Sequence, residues 1–433
     1  MALPRALSAL HSRNFRLFAS GQVFSLVGTW MQTVAQSWLV YRLTDSALLL
    51  GLTGFASQIP VFLLAPLGGV IADHLDRRRI LITTQATMMV LALALAAVTL
   101  SGAVKVWHIF TLAALLGLAN AFDIPARQAF VVSLVDRASL PNAIALNSSM
   151  FNGARLVGPA VAGAVVAAVG EGWCFLLNGV SYIAVIAALL RIDARPSKTT
   201  AAGSAWERVV EGFAFSWRTP PVRALLLLLG LVSLMGMPYS VLMPVFADRI
   251  LGGGASAYGL LMSASGLGAL AGAGALALRR DVRGLGRWIA MSAAGFGVCL
   301  VLFSFSRSLW VSALLLVPAG FFMMLELASS NTLIQAMVPD RLRGRVMSVY
   351  SMMFMGMAPL GALMAGVLAE PIGAPATVAI GGVVCIGGGL WFAQRLPSLR
   401  GPALQLLAAQ EMSAGAPASA PIAQPDTARP DED

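Results

Sequence analysis

The 433 residues are 58% hydrophobic and only 11% charged, whereas a soluble globular chain is about a quarter charged; a water-soluble domain is excluded. The formal charge of +10 would suit nucleic acid, but the basic residues sit in short breaks between apolar runs, which excludes that partner. Three histidines and the absence of HExxH, GxSxG or metal-spaced acids and cysteines leave little for catalysis, so no enzyme, metal or cofactor is expected.

A helix satisfies its own backbone in hydrocarbon, and about 20 apolar residues cross a core of ~30 Å. Apolar runs place spans near 15–40, 48–72, 80–101, 107–127, 143–168 and 174–190. After a polar stretch, six more fall near 222–247, 256–278, 287–305, 309–333, 346–369 and 375–394. The expected fold is an all-α polytopic membrane protein of twelve helices: a first six-helix bundle over 1–190, a cytoplasmic linker over 191–221, a second bundle over 222–395, and a disordered tail over 396–433, rich in Ala, Pro, Ser and acids. An offset of 203 relates Gly69 to Gly272, Gly117 to Gly320, Asp123 to Glu326 and Gly163 to Gly366, so the halves read as a repeat. With the N-terminus inside, 24 of the 29 basic residues fall on one side, and the positive-inside rule puts both termini in the cytoplasm. The long first apolar run reads as a retained helix rather than a cleaved signal.

Taken in chain order, the first span carries Gln22, Ser25, Thr29, Gln32 and Gln36 at helical spacing, a stripe suited to a central cavity or to bonding between helices. The turn after the second span, "GVIADHLDRRR" at 69–79, concentrates charge in a chain that otherwise avoids it. Asp73 at a helix end suits the positive N-terminus of a neighbouring helix, and Arg77 needs an anion, for which Asp123, late in the fourth span, is the best candidate. The alternative is that the arginines only anchor topology. Asp123 and Glu326 are the acids deep within spans, hence the candidates for carrying protons.

Arg155 lies midway along the fifth span, where Asn152 and Ser148 share its face. It must point inward, to an anionic substrate group, a titrating carboxylate, a fixed ion pair or backbone carbonyls at a helix break. Gly158, Pro159 and Gly163 follow; Pro bends a helix and Gly allows close approach. In the second half Arg279 and Arg280 persist but Leu276 stands where Asp73 would recur, and Glu326 could pair with Arg280 by symmetry. Tyr350, with Met352, Met353, Met355 and Met357, suits either an adaptable apolar surface or ordinary packing. Cys174, Cys299 and Cys385 read as small buried hydrophobes.

The 69–79 stretch resembles the signature of the major facilitator superfamily between its second and third helices: Gly69, Asp73, Arg77 and Arg78 fill the pattern, with Asp76 where a glycine is usual. The resemblance implies that the helix starting near Val346 is the neighbour of Asp73. Gly69, Asp73, Arg77, Arg78 and Asp123 would then form a latch that holds the halves shut on the inside, with Arg280 and Glu326 as its second-half counterpart. "GPAVAG" resembles the fifth-helix motif of exporting branches, although Ala113 stands where those branches carry an arginine. "PARQA", "LPNAIALN" and "ARLVGP" within 122–163 look like the branch containing the enterobactin exporter and macrolide efflux proteins. That resemblance implies a bacterial inner-membrane protein, working as a monomer, that exports a drug or siderophore by proton antiport. An importer or lipid flippase of the same fold is the alternative. The cavity would be lined by Gln22, Ser25, Thr29, Gln32, Gln36, Asn152, Arg155 and Tyr350.

Overall fold

The computed structural model describes residues 5–193, 205–279, 282 and 284–415, and the described residues are helical almost throughout. After a short 3-10 turn, thirteen helices follow. The first six are α1 (Arg13–Thr44), α2 (Ala47–His74), α3 (Arg77–Leu100), α4 (Val106–Ser133), α5 (Leu140–Val169) and α6 (Glu171–Arg191). Next come α7 (Ala205–Arg218) and the broken helix α8 (Pro220–Ile250). The last five are α9 (Gly254–Ala277), α10 (Leu285–Phe305), α11 (Leu309–Met337), α12 (Asp340–Ile372) and α13 (Ala374–Gly415).

Eleven of these, α2 to α6 and α8 to α13, are long and apolar enough to cross a membrane. The helix expected as a twelfth span, α1, has the length at 32 residues but not the apolarity, since its Gln and Thr stripe dilutes its hydropathy. Short polar caps fix the breaks. Ser12 and Ser46 accept the backbone N–H of Phe15 and Leu49, each at 3.3 Å, which satisfies donors that a helix start leaves orphaned. Asp45 ends α1 in the left-handed conformation with φ 51°. Asp76, the departure from the signature glycine, accepts Arg78 N at 2.9 Å and starts α3.

Helices α1 to α6 pack among themselves, as do α8 to α13, and the two halves meet along α2 with α12 and α5 with α9. We call the end of the bundle that carries the start of α1 and the end of α13 the terminal face. Between the halves runs α7, an amphipathic helix within the stretch expected to be plain linker. Its Gly212 lies 2.5 Å, measured from a built Cβ, from the Arg345 carbonyl, and Glu211 pairs with Arg345, so α7 is fastened to the start of α12.

Two expectations need correction. The chain does not lose order at 396: α13 continues to Gly415, because Leu396, Leu399, Ala403, Leu406 and Leu407 cover the second-half core. Residues 416–433 lie outside the described residues. Nor is α8 a plain span. π-helical turns at Val232–Gly236 and Phe246–Ile250 flank a 3-10 turn at Met237–Ser240, where Pro238 and Pro244 remove backbone donors. The three cysteines are buried.

Candidate transport site

The charged turn at 69–79 binds the first half together. Arg77 donates from Nε to the Ala72 carbonyl at 3.1 Å and from Nη1 to the Ala129 carbonyl at 3.4 Å, and its Nη2 stands 3.9 Å from Asp73 Oδ1. Arg78 donates to the carbonyls of Leu189 and Leu190 at 2.7 and 2.6 Å, satisfying the last turn of α6. A side chain built on Gly69 would meet nothing within 4 Å, and Leu63 and Leu67 on the same half of α2 are 61% and 55% exposed.

Asp123 is fully buried, but its partner is not the expected Arg77. It accepts from Thr84 Oγ1 at 2.8 Å and from Gln85 Nε2 at 2.9 Å, and it pairs with Arg127 at 3.2 Å. The correction has a local cause: Arg127 is one turn further along the same helix, the i, i+4 spacing at which side chains meet, whereas Arg77 is taken up by the carbonyls at the ends of α2 and α4. Glu326 is also fully buried. Its Oε1 accepts from Ser330 at 3.2 Å, and its Oε2 has no hydrogen-bond partner among the described residues. Arg280, expected beside it, lies outside the described residues, while Arg279 stacks over Trp288 at 4.6 Å.

Among the residues expected to line the cavity, Thr29 is exposed whereas Gln22, Ser25, Gln32, Gln36 and Asn152 are buried. Gln32 accepts from Asn178 Nδ2 at 2.6 Å, a bond between α1 and α6. Tyr350 is buried and donates to the Leu327 carbonyl at 2.9 Å, tying α12 to α11.

The fifth-helix motif is where the halves touch. Gly158 packs on α1: a Cβ there would stand 2.5 Å from Trp30 Cβ. Gly163 faces Gly259 of α9, a built Cβ lying 3.0 Å from its Cα, and Gly259 in turn faces the Pro159 carbonyl at 2.6 Å. Gly366, the repeat partner of Gly163, makes the matching approach to Gly51 at 3.0 Å. Near this seam Arg155, partly buried, has Nη2 3.8 Å from Met323 Sδ of α11 and its guanidinium 5.7 Å over the Trp30 ring. An unpaired guanidinium at mid-helix costs at least ~2.5–3.5 kcal/mol in a bilayer.

Sequence reasoning missed the polar contacts at the face opposite the termini. Asp45 pairs with Arg249 at the end of α8, and Leu48 N donates to Glu370 Oε2 of α12 at 3.3 Å, so both bridge the halves. Arg42 grips Glu171 within the first half at 2.7 and 3.2 Å. Arg249 holds the Asp45 carboxyl below the usual carboxylate range. These residues carried no motif; only their position at the ends of successive spans pointed to them.

Two six-helix halves joined across paired glycine seams define the class, a transporter of the major facilitator fold. The profile described as transmembrane secretion effector matches residues 5–415, and the chain belongs to that family, within the major facilitator superfamily. It is 25% identical to the staphyloferrin A transporter of Staphylococcus aureus, covering 89% of this chain and 97% of that protein. Identity to the multidrug efflux pump Tap of Mycolicibacterium fortuitum is 27%, covering 81% and 88%. To the enterobactin exporter EntS of Shigella boydii it is 24%, covering 86% and 90%. Among solved structures, a POT family transporter in complex with a thioalcohol-conjugated peptide superposes with TM-score 0.74 at 12% identity, covering 89% of this chain and 96% of that one.

Proposed function

We propose that the protein exports a small organic molecule of the drug or siderophore type from the cytoplasm by alternating access, exchanging it for protons, as a monomer in the bacterial inner membrane with both termini inside. The observation that carries this reading is the asymmetry of the seam between the halves. Toward the face opposite the termini, Gly51 and Gly366, Gly163 and Gly259, and the Asp45–Arg249 pair hold the halves together. Toward the terminal face, Gly69 of α2 has nothing within 4 Å of a built side chain. A two-half machine fastened at one end, with open space beside Gly69 at the other, fits one state of a rocking cycle.

In the opposite state Asp73 and the start of α12 come together, and Gly69, Arg77 and Arg78 hold the turn in shape for that contact. Glu326 carries the proton: it is a buried acid with one oxygen that has no hydrogen-bond partner among the described residues, and an intramembrane acid is a functional site by default. Asp123 is the second candidate, restrained by Arg127. The siderophore and drug transport named in three relatives supports the substrate type, and the basic terminal side supports the orientation.

The test loads everted vesicles containing the protein with a pH-sensitive dye and screens catecholate siderophores, macrolides and lipophilic cations. At least one should be taken up when the lumen is acid and should release lumenal protons. Uptake that ignores the proton gradient would remove antiport, and uptake only in right-side-out vesicles would reverse the direction.

A further inference from the structure

Most acids at or near the spans have a polar partner of their own. Asp123 has Arg127, Thr84 and Gln85; Glu171 has Arg42; Glu326 has Ser330; Glu370 takes the Leu48 N–H. Arg155, the one basic residue midway along a span, has no carboxylate among the described residues. Against the five donors of its guanidinium, its hydrogen-bond partner among the described residues is the Met323 thioether, a weak acceptor.

The surroundings of Arg155 come from both halves. Trp30 of α1 lies under the guanidinium, and Phe151 meets that ring edge-on at 5.6 Å. From the second half come Met323 and the backbone of α9, where a Cβ on Gly266 would stand 2.8 Å from the Arg155 carbonyl. Pro159 removes the N–H that would bond that carbonyl in a regular helix, yet the Arg155 side chain does not turn back to a carbonyl; it projects across to α11. The tether to backbone at a helix break, which would make Arg155 purely structural, is not what the geometry has.

We propose that Arg155 is the recognition residue for an anionic substrate, a carboxylate on a flat apolar body. A planar fork of donors suits a carboxylate bidentately, and Trp30, Phe151 and Met323 beside it suit an aromatic or similarly flat group. The inference rests on the transport reading and narrows its substrate class. Because the guanidinium reaches from α5 to α11, the bound anion would lie where the two halves meet.

The test uses the purified full chain in detergent and matched acid–amide pairs: 2-naphthoate with 2-naphthamide, indole-3-acetate with indole-3-acetamide, and 2,3-dihydroxybenzoate with its amide. Binding is read by equilibrium dialysis. At least one acid should bind about tenfold or more tighter than its amide, the scale expected of a charged hydrogen-bonded contact. Arg155→Met should abolish that preference and Arg155→Lys should reduce it. If no acid binds, if acids and amides bind alike, or if Arg155→Met keeps the preference, the assignment is wrong. Should Arg155→Met fail to fold, Arg155→Lys and the wild-type acid–amide ratio decide. Proton-coupled uptake in everted vesicles without any acid preference would sink this assignment alone, whereas acid preference without uptake would sink the transport reading instead.

Discussion

Gly163 of α5 and Gly259 of α9 lie so close that a Cβ on the first would stand 3.0 Å from the Cα of the second. Approach this tight needs glycine on both sides, and overpacking a fitted seam costs about 1–3 kcal/mol. Gly163→Val should therefore slow transport in everted vesicles about tenfold while leaving helical content by circular dichroism unchanged, and Gly163→Ala should fall between. Gly366→Val, at the repeat-related seam, should act alike.

The Asp45–Arg249 pair gives the face opposite the termini a pH dependence. Arg249 lowers the Asp45 carboxyl from its ordinary value, so the contribution of the pair is fully present above the ordinary carboxylate pKa of about 3.9 and is lost as pH falls through the depressed value. Between pH 8 and 5, spin-label distances across that face should not change; they should widen only on further acidification, below the ordinary carboxylate value, as pH falls through the depressed one. Asp45→Asn should show the widened distances already at pH 7, and a charge-swapped pair, Asp45→Arg with Arg249→Asp, should restore the closed distance.

Asp123 and Arg127 should behave as a buried pair. Removing one partner strands a charge, at about 3–5 kcal/mol, so Arg127→Met should lower the unfolding temperature sharply. Asp123→Asn with Arg127→Met should lose less than Arg127→Met alone. Additive losses in that double-mutant cycle would show that the two do not interact.

For Glu326, the expected outcome is a split between two assays. Glu326→Gln should abolish uptake driven by a pH gradient yet spare counterflow exchange, which needs no net proton movement. Retained pH-driven uptake would take the proton role from Glu326.

Much of the fold was legible because a bilayer leaves few choices: length and apolarity mark eleven of the expected spans, and residue matches 203 positions apart mark the halves as a repeat. The ends were less legible. The spans read as 346–369 and 375–394 are helical from Asp340 and on to Gly415, since apolarity marks the hydrocarbon core while helices continue into the interface on caps and amphipathic packing. The pairing of Asp123 was readable from its i, i+4 spacing to Arg127, whereas Arg77, the partner a latch would require, is satisfied by backbone carbonyls that no local pattern announces. Thr84, Gln85 and the Asp45–Arg249 contact depend on how separate helices face each other, and no local pattern carries that.

The interruptions of α8 bear on how displacement spreads through the molecule. A continuous helix acts as a rod and delivers a push at one end to the other. In α8 the rod is cut between Val232 and Ile250 by turns of different pitch, where bending is absorbed locally. In the proposed alternating-access cycle, Pro220–Leu231 would tilt while Arg249 stays clasped to Asp45, and the two ends of this one segment would then move separately.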